Sequence, residues 1–193
     1  MQLEPVVLEN RFVRLEPMAE AHKAGFRAAC DADPVTWAEL YPYTMHGEHF
    51  EPGWQRLYAD PAADRLNFAV TVDGRCVGVS SFLRIDAANS SVEIGGTYYH
   101  PDYRGGPTNP SAKRLLLGEA FDKGARRVQF RVDAINARSR AAVLKLGAVQ
   151  EGIMRQDMAA WTGRIRDTVV FSVVADEWPA VRERLDARLA AFG

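Results

Sequence analysis

Two strands, each followed by a helix, occupy residues 91 to 147, and no other stretch restricts the fold as strongly. SVEIGGTYYH (91–100) carries strand-forming residues interrupted by Gly95-Gly96, a pair that weakens pairing and permits a bulge or splay. It runs into the glycine- and proline-rich PDYRGGPTNP and then SAKRLLLGEAFDKG (111–124), where Leu115, Leu116 and Phe121 form an apolar face. Asn109 and Pro110 are suited to N-cap and first helical residue. VQFRVDA (128–134) alternates strictly, Asn136 precedes the helix ARSRAAVLKLG, and Gly147 suits its C-terminal cap.

The flanking elements fit around that centre. RFVRLEP (11–17) reads as a short strand, 19–30 as a helix, and the aromatic-rich segment 35–59 as short helices joined by loops. LNFAVTVDGRCVGVSSFLRI (66–85) is a hairpin turning at Asp73-Gly74. A second hairpin turns at Thr162-Gly163, and DEWPAVRERLDARLAAF closes the chain as an amphipathic helix. With 193 residues, 47% of them hydrophobic, the expectation is one domain spanning 1–193 with a single active site.

A formal net charge of -1 gives no global basic field for nucleic acid or an anionic membrane. Apolar runs fall short of the roughly 18 residues that span a bilayer, and the N-terminus lacks the basic and apolar regions of a secretory leader. Cys30 and Cys76 make no disulfide framework. The expectation is a cytoplasmic protein without nucleic-acid or membrane partners. His46 and His49 stand in H-x-x-H spacing, but zinc needs a further ligand, so no metal is expected.

The order of elements, with VEIGGTYYHPDYRGGPTNPSAKRLLL, NARSRAAVLKLGA, EGIMRQ and GRIRDTVVFS, resembles the GNAT acetyltransferases, most closely the ribosomal-protein N-terminal acetyltransferase branch. The resemblance implies an α/β (α+β) acyl-CoA N-acyltransferase fold: a mixed, mostly antiparallel sheet flanked by helices, splayed between the family's fourth and fifth strands. It implies an acetyl-CoA-dependent enzyme moving acetyl to a primary amine, either a protein N-terminal α-amino group or a small-molecule amine.

The implied coenzyme site is specific. Arg104, Gly105, Gly106, Pro107, Thr108 and Asn109 stand at the pyrophosphate turn, where successive amides and a helix N-terminus make an anion site. Pro107 replaces a glycine and removes one donor. Lys113 and Arg138 add cations near helix N-termini, which an anion would neutralise. Main-chain groups of Thr97, Tyr98 and Tyr99 would hold the pantetheine arm and polarise the thioester carbonyl, and Asn136 would hydrogen-bond the arm.

An amine nucleophile must first lose its proton. Glu93, a carboxylate in an apolar strand beside the slot, is the candidate base, or else a residue of a solvated strand face or a structural ion-pair partner of an arginine. Val143 stands where many superfamily members carry a tyrosine for the departing thiolate, whereas Ser139 matches the serine of the resembling branch. The acceptor pocket maps onto 31–51 and 155–166, with Trp37, Tyr41 and Tyr43 as candidate walls. Open alternatives are a non-catalytic acyl-CoA sensor or a longer acyl group; exposed strand edges and the final helix favour a homodimer.

Overall fold

The computed structural model describes residues 1–59 and 63–193. Its centre is an eight-stranded sheet in the order β1-β2-β3-β4-β5-β6-β8-β7. The strands are β1 (Leu8–Glu9), β2 (Arg14–Pro17), β3 (Leu66–Val72), β4 (Arg75–Asp86), β5 (Ser91–Tyr99), β6 (Arg127–Asp133), β7 (Val149–Ala159) and β8 (Ile165–Val174). The helices are α1 (Lys23–Asp31), α2 (Pro34–Leu40), α3 (Phe50–Trp54), α4 (Thr108–Asp122), α5 (Ala137–Leu146) and α6 (Trp178–Ala190).

Pairing is antiparallel except between β5 and β6, which α4 connects as a crossover. Alternation along the strands divides the core. Val92 and Ile94 of β5, Val128, Phe130 and Val132 of β6, and Val169, Phe171 and Val173 of β8 meet Leu116 and Leu117 of α4, Val143 of α5 and Leu185 of α6. A second cluster joins Phe26 of α1, Trp37 of α2 and Phe50 and Trp54 of α3 to Val79 of β4 and Tyr98 of β5. The opposite residues of β6 and β8 put Arg131, Asp133, Arg166 and Thr168 where apolar side chains are replaced by ion pairs and, at Thr168, by a hydrogen bond from Arg166.

The hairpins turn where the sequence places them, and Asn136 and Gly147 cap α5 as expected. One boundary needs correction. α4 starts at Thr108 with Pro107 as its N-cap, so Asn109 and Pro110 lie inside the first turn. Proline is tolerated there because the first amides of a helix have no acceptor in any case. Among the described residues, no helix is long and apolar enough to cross a membrane.

Candidate active site

The site begins where β5 and β6 part. Their ladder holds only Ser91↔Arg127, Val92↔Val128 and Glu93↔Gln129, after which the strands no longer pair. Beyond Glu93, β5 stays on β4 but takes an extra residue: Val79↔Tyr98 is followed by Ser81↔Gly95, two residues on β4 against three on β5. Gly96 supplies the bulge, with φ +57°, a conformation L side chains resist. The splay expected from Gly95-Gly96 thus lies between β5 and β6.

One end of the slot faces the start of α4. Its N-terminus has no side-chain cap, and the amides of Gly105, Gly106, Thr108 and Asn109 donate to no protein acceptor among the described residues. A Cβ built on either glycine meets nothing within 4 Å, so the turn is open. Unpaired amides at the positive end of a helix dipole form an anion site. Past the C-terminal end of β6, which runs parallel to β5, Asn136 caps α5 by accepting from the Ser139 amide at 3.0 Å. Ser139 is half-buried in that turn, and Arg138 is exposed beside it. Replacing Asn136 with alanine should cost about 1 kcal/mol, measured by thermal denaturation, because an N-cap acceptor is lost.

Glu93 stands at the branch point, 6% exposed. Arg84 Nε is 3.1 Å and Arg131 Nε 4.0 Å from Oε2, yet Oε2 has no aligned hydrogen bond among the described residues. Burial raises the carboxyl pKa, against the opposing charges of Arg84, Arg131 and Arg166. The group is therefore both an ion-pair member and a carboxylate with raised basicity. The network continues on that sheet face: Arg131 pairs with Asp157 at 2.7 Å, and Asp133, 3% exposed, takes Arg164 and Arg166.

The β7–β8 turn reaches over this face. The Trp161 amide donates to Pro42 O at 3.0 Å, its indole Nε1 to Trp37 O at 3.1 Å, and Arg164 Nη2 to Glu39 O at 3.3 Å. The two segments expected to enclose the acceptor are brought together.

Four candidate residues take places other than those expected. Trp37 is core, 1% exposed and stacked on Tyr98 at 4.2 Å, because its indole finds the Cys30 carbonyl inside the α1–α2 turn. Tyr43 packs against the same cluster. Arg104 turns inward instead of toward phosphate: it donates to Tyr99 O at 2.9 Å, pairs with Asp33 and lies over the Tyr98 ring. Burial opposes charge on Asp33, but hydrogen bonds from Thr36 and Arg104 outweigh it and hold the carboxyl at about 2. Lys113 is 5% exposed and bonds to Ser80 and Thr97 behind the bulge, so it does not stand at the turn. Tyr41 does reach the slot, where its hydroxyl donates to the Thr97 carbonyl.

The residues that sequence reading missed are Asp133, Arg164 and Arg166. Their meeting depends on β6 pairing with β8, which no local spacing reveals. Lys113 did leave a signal: it precedes Leu116 and Leu117 by three and four residues and so belongs to the buried stripe of α4.

The site thus combines an uncapped helix N-terminus, a parted strand pair and, at the strands' fork, a buried carboxylate. Residues 13–149 match the acetyltransferase (GNAT) domain. The chain belongs to the GNAT acetyltransferase family and is an acetyl-CoA N-acetyltransferase. A GCN5-related N-acetyltransferase from Brucella melitensis is 35% identical, with TM-score 0.89 over 97% of this chain and 86% of that one. Two more distant structures share the fold. Mycobacterium smegmatis RimJ in complex with CoA-disulfide is 22% identical, TM-score 0.83, over 95% of each chain. A ribosomal-protein-S5-alanine acetyltransferase from Vibrio fischeri is 18% identical, TM-score 0.74, over 90% of this chain and 98% of that one. Among curated proteins, none matches the chain significantly.

Proposed function

We propose that this enzyme, working as one domain, transfers the acetyl group of acetyl-CoA directly to a primary amine, either a protein N-terminal α-amino group or the amine of a small molecule. The observation that carries the reading is the end of the β5–β6 ladder at Glu93↔Gln129, which leaves a carboxylate at the fork of an open main-chain slot. RimJ, the more similar of the two distant relatives, holds a coenzyme A derivative, which supports the same carrier here.

In this reading the pyrophosphate lies on the amides of Gly105 to Asn109, apart from Pro107, and the pantetheine arm pairs with main chain of Thr97, Tyr98 and Tyr99. Asn136 donates its side-chain amide to the arm, and Arg138 adds positive charge at the slot mouth. The amine gives its proton to Glu93, directly or through water, and its nitrogen attacks the thioester carbon. A β5 amide stabilises the oxyanion. The C–S bond then breaks, Ser139 offers a hydrogen bond to the departing thiolate, and the nitrogen's second proton passes to that sulfur, which leaves a neutral amide and free thiol. Holding both reactants in one cleft supplies much of the acceleration.

Ser139→Ala should lower kcat about tenfold with little change in acetyl-CoA affinity, since its hydrogen bond forms to charge that appears only as the thiolate leaves. Equal losses in kcat and affinity would make it a binding residue. The reading also takes the protein as cytoplasmic and as a homodimer. The outer strand β7, with Ile153, Met154 and Met158 exposed, supports the latter.

The test is release of free thiol from acetyl-CoA in the presence of peptides with free N-termini and of small amines, with the product's mass gain measured. Acetylated amine in step with thiol supports the proposal. Thiol release without any acetylated amine would reject it, and competition with longer acyl-CoAs fixes the acyl preference.

A further inference from the structure

Behind the β5 bulge lies an amine that has no counter-charge among the described residues. Lys113 is the sixth residue of α4; its Nζ is 2.6 Å from Thr97 Oγ1 and 3.0 Å from Ser80 Oγ, and those oxygens are 2.8 Å apart. The three atoms close a triangle. With a neutral amine each member donates one hydrogen bond and accepts one, so the ring is satisfied without charge. An ammonium donates to both hydroxyls instead, but brings an isolated charge into a site closed to water. Burial alone lowers its pKa to about 7.

The groups facing Lys113 are Ser80 on β4 and Thr97 on β5, and the Tyr41 phenol reaches the same bulge through the Thr97 carbonyl. Burial holds that phenol uncharged, and among the described residues the lysine has burial alone as the cause of its lowered pKa. The uncapped start of α4 lies five residues, roughly 7.5 Å, along the helix axis.

We propose that Lys113 is a positioning residue that ties α4 to the β5 bulge and couples acyl-coenzyme A binding to proton uptake at its own amine. The inference rests on the reading above, in which the coenzyme's pyrophosphate docks at the start of α4. That anion supplies the missing counter-charge and favours the ammonium. The ammonium then donates to Thr97 and Ser80 together, fixing the strand segment that grips the arm. The sign follows from linkage: a group whose pKa rises on binding takes up a proton, so affinity falls as pH rises above about 7.

The test is calorimetric titration of coenzyme A into the full chain at pH 7.5, in two buffers of different ionisation heat. Wild type should take up roughly half a proton more per coenzyme than Lys113→Met, and its Kd should weaken severalfold between pH 6.5 and 8.5 while that of the variant stays flat. Equal proton counts, or equal pH dependence in the two proteins, would overturn the proposal. Should Lys113→Met not fold, Thr97→Val keeps the lysine but removes one acceptor. It should move the pH at which affinity falls downward, and an unmoved profile counts against the coupling. Failure of wild type to bind coenzyme A at all would sink the parent reading as well, an outcome distinct from binding without proton uptake.

Discussion

Glu93→Gln should lower kcat/KM for acetyl transfer by at least about 100-fold, the range a positioned general base supplies, without unfolding the protein. The carboxylate is the basic group at the fork of β5 and β6, and glutamine keeps its shape but cannot accept the amine's proton. Because burial raises the Glu93 pKa, the wild-type rate should fall as pH drops through that raised value, and the variant should lack this acid limb. Stability moves the other way. A carboxyl protonated more easily in the folded state than in the unfolded chain contributes stability below its unfolded pKa and loses it as pH rises through the folded one. Glutamine resembles the protonated form, so the variant should denature at or above the wild-type Tm at neutral pH. An unchanged rate and unchanged pH profile would leave Glu93 with no role beyond its ion pairs to Arg84 and Arg131.

The second large effect is on the scaffold. Gly78→Ala places a methyl 2.1 Å from the Tyr98 carbonyl oxygen and 3.0 Å from the Tyr99 Cα, both main-chain atoms that cannot swing aside. β4 and β5 pair there, at Gly78↔Tyr99 and Val79↔Tyr98, so the strands must separate beside the bulge that shapes the slot. A cost of about 3 kcal/mol is expected for such overpacking, lowering Tm by roughly 6–12 °C for a domain of this size. Coenzyme A binding should weaken with it, because the segment 97–99 loses its support. A Tm within about 2 °C of wild type would mean that the sheet relaxes at little cost.

Much of the fold was legible because its signals are local. Asp73-Gly74 marks one hairpin, Asn136 and Gly147 bracket α5, and Gly95-Gly96 marks the bulge, each through backbone conformations that few residues favour. β1 escaped notice since Leu8–Glu9 is too short to display a period. The start of α4 was misplaced because proline is permitted anywhere in a first turn, so Pro110 does not fix which residue is N1. The slot and its carboxylate could be read, but not the side chains that complete them. Arg104 finds Asp33 from another part of the chain, and Asp133 finds Arg164 through the β6–β8 pairing. Lys113 was assigned by charge, whereas its position in the apolar stripe of α4 decides where it points.

The central claim is that main chain between Thr97 and Asn109 grips a thioester carrier in the gap between β5 and β6. A crystal structure of the protein grown with coenzyme A measures it directly. Density for the pantetheine arm between these strands, with the pyrophosphate over Gly105 to Asn109 and the sulfur within reach of Ser139, is the predicted result. Coenzyme bound elsewhere, with the strands' parting empty, would contradict the account.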